Sequence, residues 1–370
     1  MRALSTSRAL RVLHITASSE QGGGPEHVWQ LVRHLPAEIT SYIAAPDAAP
    51  YRERFVASVG EERCFVIPQR KWSFSAFFSL LRWARKNRIA IVHSHGKGAG
   101  LYGRLLALAS GILSVHSFHG IHLPKNFLAQ AVYLALERTL GRCTCVSIAT
   151  SQSEAATATD LSLVKSRLVI IPNGVMVQTE AELSALRSPF AIVYMGRLEA
   201  IKNSLALVPI ACALRDLGML PGCRFLLTGD GVEKEALEAA LAHENLLEHF
   251  SFVGFQGDVS LFLAGAGCLL STSLAEGMPL AVLEAQAEGI PVVVSHVRGN
   301  IDAVVPGVTG FTYPLHDPAE AARCIARLVE DPALRLRMGH AAREQIATRH
   351  DVRSMAMGVA RCYTACVAGE

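Results

Sequence analysis

Short apolar runs recur along the chain, each closed by glycine, proline or small polar residues, with stretches of helical periodicity between them. The first is Arg11-Val-Leu-His-Ile-Thr16, and others follow at 40–44, 64–67, 89–93, 113–117, 145–149 and 168–171. Brief apolar runs bounded by breakers read as buried strands. Strands covered on both faces lose the alternation of a surface strand, which marks a parallel sheet. Regular alternation with helices predicts an α/β fold. Ile171-Pro-Asn-Gly-Val175 closes this series with a turn signal, and the polar stretch 180–188 before Pro189 reads as a linker. A second series starts at 190–194 and continues at 224–228, 250–253, 267–271 and 290–294, followed by Gly307-Val-Thr-Gly310-Phe-Thr-Tyr313. A last helix, 352–367, carries Met355 and Tyr363 among apolar residues at helical spacing. The pattern predicts domains at 1–180 and 181–350, with residues 351–370 forming a terminal helix.

Chemistry concentrates where strand meets helix. Residues 267–271 lead into Ser271-Thr-Ser-Leu-Ala-Glu276-Gly-Met-Pro-Leu280-Ala-Val-Leu-Glu284, then Gly289 and a strand at 290–294. Pro279 suits the first position of a helix, where no N–H is needed, and Gly289 suits its stop. Glu276 then lies in the loop at the carboxyl end of a strand, and Glu284 lies inside the following helix. The N–H groups of Gly277, Met278, Pro279's neighbours and Leu280 point out of the helix start, an anion site between two carboxylates. In the same series Arg197 follows its strand through Gly196, and Lys202 stands five residues on. Near the N-terminus Gly22, Gly23 and Gly24 form a turn between the first strand and a helix that begins near Glu26. This turn lacks the spacing and the distal acid of a dinucleotide site. His119, before Gly120, ends the fifth strand, and His93-Ser-His95-Gly-Lys97 ends the fourth.

Composition narrows the class. A chain of 370 residues, 51% hydrophobic and 18% charged, is long enough for two core-bearing domains and too apolar for disorder. A formal charge of +3 does not mark a nucleic-acid binder. No apolar run reaches the roughly 20 residues of a membrane span. Arg2, Arg8 and Arg11 interrupt the N-terminal segment, which argues against a secretory signal and predicts a cytoplasmic protein. The 9 cysteines are scattered without metal-ligand spacing and read as reduced thiols. No Asp-x-Asp pair occurs, so a metal-bridged diphosphate is not expected and no cofactor is implied.

The run Glu276-Gly-Met-Pro-Leu280-x-x-x-Glu284-Ala is similar to the glutamate-x7-glutamate motif of retaining GT-B glycosyltransferases of family 4. Gly196-Arg-Leu…Lys202-Asn, Val115-His-Ser-Phe-His119-Gly and Ile171-Pro-Asn-Gly-Val resemble further motifs of that family, in the same order. The resemblance implies a GT-B fold: two Rossmann-like domains with a cleft between them and a C-terminal helix crossing back onto the first. It implies a nucleotide-sugar donor, UDP- or GDP-linked, and transfer with retention to a hydroxyl of a glycan or lipid-linked acceptor in surface-polysaccharide, lipopolysaccharide or glycolipid synthesis. Arg197 and Lys202 would bind the donor diphosphate, Glu284 the ribose, and Glu276 the sugar. Backbone at 277–280 would hold phosphate or sugar, and backbone near Phe255 the base. His119 would reach the donor sugar, with Gly23 and Gly24 beside the phosphates. Glu26, His95 and Lys97 are candidates for the acceptor side. The resemblance implies no metal requirement. Arg298-Gly-Asn300-Ile-Asp302 departs from the Gly-Gly and Glu of many members and resembles a variant of bacterial surface-polysaccharide transferases. A sugar-nucleotide 2-epimerase on the same fold, and a non-catalytic partner subunit, are the alternatives.

Between Arg63 and Val132 there is no Asp or Glu, while cations recur, and 70–88 interleaves Trp72, Phe74, Phe77, Phe78 and Trp83 with Arg82, Arg85 and Lys86. Such a segment suits either a core-packed helix with a solvated basic end or an anionic bilayer surface, the latter a peripheral site on the inner face of the membrane. The identities of donor sugar, acceptor and linkage are not written in these motifs.

Overall fold

The structure, a computed structural model, describes residues 9–124, 126–177 and 188–369. The chain divides into two compact units. The first runs to Asn173 and takes up the chain again from Val352; the second is Gly174–Asp351. The break at Asn173 lies ahead of the expected position at 180, and the linker expected at 180–188 falls almost wholly outside the described residues.

The first unit is a seven-stranded parallel sheet. Its strands are β1 (Leu10–Thr16), β2 (Ile39–Ala45), β3 (Cys64–Val66), β4 (Ile91–His95), β5 (Leu113–Ser117), β6 (Val146–Ala149) and β7 (Arg167–Ile170). They lie in the order β3-β2-β1-β4-β5-β6-β7. The second unit has β8 (Phe190–Met195), β9 (Cys223–Thr228), β10 (Phe250–Gly254), β11 (Cys268–Ser271), β12 (Val292–Ser295) and β13 (Gly310–Tyr313), in the order β10-β9-β8-β11-β12-β13. Both orders grow outward in one direction and then return to the other side of the first strand. Open parallel sheets bind ligands outside the carboxyl ends at that reversal. It falls between β1 and β4 in the first unit and between β8 and β11 in the second.

Helices cover both faces of the first sheet. Leu13, Ile15, Tyr42 and Val92 pack with Phe77, Leu80 and Leu81 of the helix Phe74–Lys86, and with Tyr102 and Leu106 of the helix Gly96–Ser110. Val12, Ile91, Val115 and Ile148 turn the other way, onto Leu31 and the terminal helix Val352–Ala368. Met355, Val359, Tyr363 and Cys366 recur every three or four positions and are buried. That single apolar stripe makes the helix part of the first unit although its sequence follows the second.

Three local readings change. The first helix is Gly23–His34, so Gly23 and Gly24 are its opening turn and not a free loop. Pro279 precedes the helix Leu280–Ala287 as its N-cap with extended ψ, instead of occupying the first helical position. The strand expected at 290–294 is Val292–Ser295, because Gly289 still turns the chain with a φ of 72° and Pro291, which has no N–H, can only accept, from Leu269 N–H at 3.1 Å.

Candidate active site

In the second unit the expected residues converge at the β8/β11 reversal. Lys202 Nζ donates to Glu276 Oε1 at 2.5 Å, and Ser273 Oγ donates to the same oxygen at 2.6 Å. Backbone holds both partners in place. Thr272 Oγ1 donates to the carbonyls of Lys202 (2.8 Å) and Asn203 (3.0 Å), and Leu274 N–H reaches Ile201 O at 2.9 Å. Thus the loop after β11 fixes the loop after β8. Arg197 Nη1 lies 2.6 Å from Glu199 Oε1, both side chains about a third exposed. Gly231 keeps that loop close: a Cβ there would sit 2.3 Å from the Leu198 carbonyl oxygen.

The turn carrying Glu276 is seated on the segment that departed from the family pattern. Gly299 has a φ of 81°, and a Cβ there would lie 2.7 Å from the carbonyl oxygens of Glu276 and Gly277. Asn300, wholly buried, donates to Ser295 O at 3.0 Å, and Ser295 Oγ donates to Ser273 O at 2.6 Å. The departure therefore retains the glycine that the close approach needs, while Asn300 braces the turn. The side chains of Met278 and Leu280 are buried in the core, so these two residues offer only backbone to a ligand. The helix Leu280–Ala287 has no side-chain cap, which leaves its first N–H groups directed out of the helix start. Glu284 lies half-buried within it, and Phe255 is 37% exposed just beyond β10.

In the first unit the reversal between β1 and β4 is lined by histidines. His14 and His93 are register partners, as are Thr16 and His95. His95 Nδ1 lies 3.2 Å from His119 Nε2, and its Nε2 lies 3.4 Å from His14 Nδ1. His93 is held by Tyr363 (2.6 Å) and Ser117 (2.8 Å), so the terminal helix reaches this edge. His27, on the first helix, packs edge-on to His119 with ring centroids 4.3 Å apart. Burial holds these rings neutral. His27 is lowered to about 4 and His14 to about 3, with His95 and His119 well below the usual histidine range. Nitrogens of His27, His95 and His119, and of His14, His93 and His95, approach within 4.8 Å of one another, so either trio has the donors to hold a metal ion.

Placement of the remaining candidates is mixed. His119 stands at the mouth, with a φ of 54° and only partly buried. His95 is 5% exposed, with its two ring nitrogens facing His119 and His14. Glu26 is turned toward the helix Tyr51–Val59: it accepts from Tyr51 (2.6 Å), Arg54 (3.3 Å) and its neighbour Gln30 (2.7 Å). That network ties the first helix to the helix Tyr51–Val59 through the Glu26 carboxylate. Lys97 is exposed, its Nζ 4.0 Å over the Tyr133 ring. A Cβ at Gly24 would meet no atom within 4 Å. Packing and backbone conformation therefore leave the glycine at Gly24 unexplained, and a ligand approaching the helix start would explain it.

Two residues were missed from sequence. His27 was hidden because its place beside His119 comes from packing of the first helix against the turn after β5, which spacing along the chain does not show. Glu154, buried on the helix Gln152–Asp160, accepts from Gly120 N–H and from Thr150 N–H and Oγ1, tying the His119–Gly120 turn to β6. Its signal was present as Ser151-x-x-Glu154, a capping-box spacing.

Sequence comparison places this geometry among known proteins. Residues 179–345 match the sequence model of glycosyl transferases group 1, and residues 21–179 match that of Glycosyltransferase Family 4. The UDP-Gal:alpha-D-GlcNAc-diphosphoundecaprenol alpha-1,3-galactosyltransferase of Escherichia coli is 28% identical over 355 residues, covering 90% of this chain and 91% of its own. EpsD of Bacillus subtilis, a glycosyltransferase by name, is 26% identical over 276 residues, covering 69% of this chain and 71% of its own. Among solved structures, HepE of Anabaena in complex with UDP superposes with a TM-score of 0.80 at 18% identity, over 96% of this chain and 100% of that one. Sucrose-phosphate synthase of Thermosynechococcus elongatus does so with a TM-score of 0.80 at 21% identity, over 98% of this chain and 100% of that one.

Proposed function

Because the chain belongs to the family 4 glycosyltransferases and has their GT-B pair of Rossmann-like units, we propose that it moves a hexosyl group from a UDP- or GDP-sugar to a lipid-linked glycan acceptor, with retention and without a metal. The observation that carries the donor half of this reading is the Lys202–Glu276 pair beside an uncapped helix start, at the reversal of the second sheet. Departure of a nucleoside diphosphate builds negative charge on the leaving oxygens. Lys202, Arg197 and the first N–H groups of the helix supply positive charge and dipole to meet it. Glu276, already holding Lys202, has a second oxygen to accept from a sugar hydroxyl, and Glu284 can accept two bonds from a ribose diol. In the first unit His119, neutral and braced by His95 and Glu154, can hydrogen-bond the donor sugar without adding charge.

Retention follows from a front-face displacement. The acceptor hydroxyl attacks on the side that the diphosphate leaves; its proton passes to a departing phosphate oxygen as the new glycosidic bond forms. The acceptor reading takes its support from the E. coli relative, whose name specifies a diphosphoundecaprenol-linked acceptor.

The test is nucleotide release from a panel of UDP- and GDP-hexoses in EDTA, with and without a polyprenyl-diphosphate sugar, and with product anomers read by NMR. UDP or GDP release with an α-configured product is expected. Turnover that requires added divalent metal would overturn metal independence; an inverted product would overturn retention. A free 2-epimer without transfer would identify an epimerase.

Gly24→Ala separates ligand from fold. Alanine in this helical turn is expected to raise stability by about 0.5 kcal/mol, since it narrows the unfolded ensemble without a clash. KM for the nucleotide sugar is expected to rise at least about tenfold, a loss of roughly 1.4 kcal/mol of binding. Thermal melting and initial rates check the two halves.

A further inference from the structure

The helix Phe127–Gly141 is inside out for a helix facing water. Phe127 (85% exposed), Leu128 (71%) and Val132 (62%) stand outward with Leu136. Its one acid, Glu137, is turned inward and 4% exposed. Arg104, itself buried, holds Glu137 at 2.8 Å, and burying that pair fixes which face of the helix is presented. Single exposed apolar residues are ordinary, but a contiguous apolar face on one helix marks a surface that meets something other than water.

Neighbouring helices extend the same face. The helices Phe74–Lys86 and Gly96–Ser110 pack together, and Gly96–Ser110 packs in turn on Phe127–Gly141. Right-handed crossovers place all three on one side of the first sheet, since each leads to a strand further along the same direction. Phe74 (69% exposed), Phe78 and Leu108 add to the apolar surface of this layer. Its charge is of one sign. From residue 63 to residue 153 the only acid is Glu137, which is buried, whereas Arg82, Arg85, Lys86, Arg138 and Arg142 are exposed. Apolar side chains flanked by cations and without outward acids complement a lipid surface that carries negative charge. No helix among the described residues is long and apolar enough to cross a membrane, so the contact would be parallel to the surface.

We propose that this three-helix face docks on an anionic bilayer, with the helix Phe127–Gly141 lying in the interface and Phe127, Leu128, Val132 and Leu136 among the acyl chains. The proposal deepens the acceptor reading above and rests on it only for the purpose of docking. Residues 120–126 alone separate His119 from Phe127, so docking holds the histidine end of β5 beside the membrane, where a polyprenyl-diphosphate acceptor presents its sugar.

Co-sedimentation of the full chain with vesicles of phosphatidylethanolamine and phosphatidylglycerol tests the proposal, with nucleotide-sugar hydrolysis measured in the absence of lipid. Wild type is expected to sediment with these vesicles, at least tenfold less with phosphatidylcholine alone, and less in 0.5 M NaCl. The pair Phe127→Ser and Leu128→Ser is expected to reduce vesicle partition at least tenfold while leaving hydrolysis unchanged. The triple Arg82→Glu, Arg85→Glu, Lys86→Glu is expected to reduce it and remove its salt dependence. Wild type that stays in the supernatant, or serine variants that sediment as wild type does, would overturn the proposal. So would serine variants whose only change is from dimer to monomer by light scattering, since the face would then be a subunit contact. Binding needs no turnover, so a protein inactive on every nucleotide sugar that still sediments keeps the docking face and loses the enzymatic reading.

Discussion

Lys202→Met and Glu276→Gln are each expected to lower kcat/KM by about 10²- to 10³-fold, the range for losing one preorganised charge contact at a developing oxyanion. The double variant is expected to be little worse than either alone. The reason is that the two side chains act as one unit. At 2.5 Å, with side chains 26% and 12% exposed, each sets the position of the other. Removing Glu276 frees Lys202 from its fixed position; removing Lys202 leaves Ser273 as the hydrogen-bond partner of the Glu276 carboxylate among the described residues. Groups that work together lose function non-additively, whereas independent contacts multiply their losses. Losses that multiply to about 10⁴-fold or more would show that the pair is not the functional unit. The pair is partly exposed, so stability is expected to change by about 1 kcal/mol or less. Melting curves recorded beside the kinetics distinguish lost chemistry from lost fold.

Much of this half of the molecule was legible from the chain because its chemistry is local. Glu276, the Gly-Met-Pro turn and Glu284 sit on one strand–turn–helix segment, and Arg197 follows its strand directly. A one-residue error at Pro279 and a two-residue error at the start of β12 left every side chain near its expected place. What was not legible depends on non-local packing. His27 needed the first helix to be packed beside the turn after β5, because only that packing brings its ring against His119. The role of Glu154 needed the turn after β5 and the turn after β6 to be side by side, which pairing between the two strands settles and spacing does not. Glu26 was a candidate for the acceptor side, and its hydrogen bonds to Tyr51 and Arg54 came into view only once the helix Tyr51–Val59 was placed against it. The outward face of Phe127–Gly141 was missed for an energetic reason. Its apolar pattern suggests a buried helix, and only the inward seat of Glu137 on Arg104 shows the helix turned over.

The histidine edge of the first unit is expected to make the protein acid-labile from just below neutrality. His14, His27, His93, His95, His116 and His119 are all lowered, chiefly by burial, His27 to about 4. In the unfolded chain each returns to about 6.5. Between those limits the unfolded state binds more protons than the folded one, so stability is complete above about pH 6.5 and falls as pH falls toward the folded values. One such group costs about 2 kcal/mol by pH 5, and a few together approach the roughly 5–15 kcal/mol of a whole domain. A first calorimetric transition that drops by about 10 °C or more from pH 7.5 to pH 5 is the expected result. His27→Leu isolates one contribution. Neither His27 ring nitrogen has a partner at hydrogen-bond geometry among the described residues, though the Asn173 side chain lies beside the ring and opposes part of the burial effect. An apolar replacement is therefore expected to be near neutral at pH 7.5. At pH 5 the variant is expected to be the more stable protein, by about 2 kcal/mol in urea unfolding. A stability difference that stays constant between those pH values would show that His27 is not held neutral in the fold. The histidine edge would then lose its uncharged character, and with it the argument that His119 meets the sugar as a neutral donor.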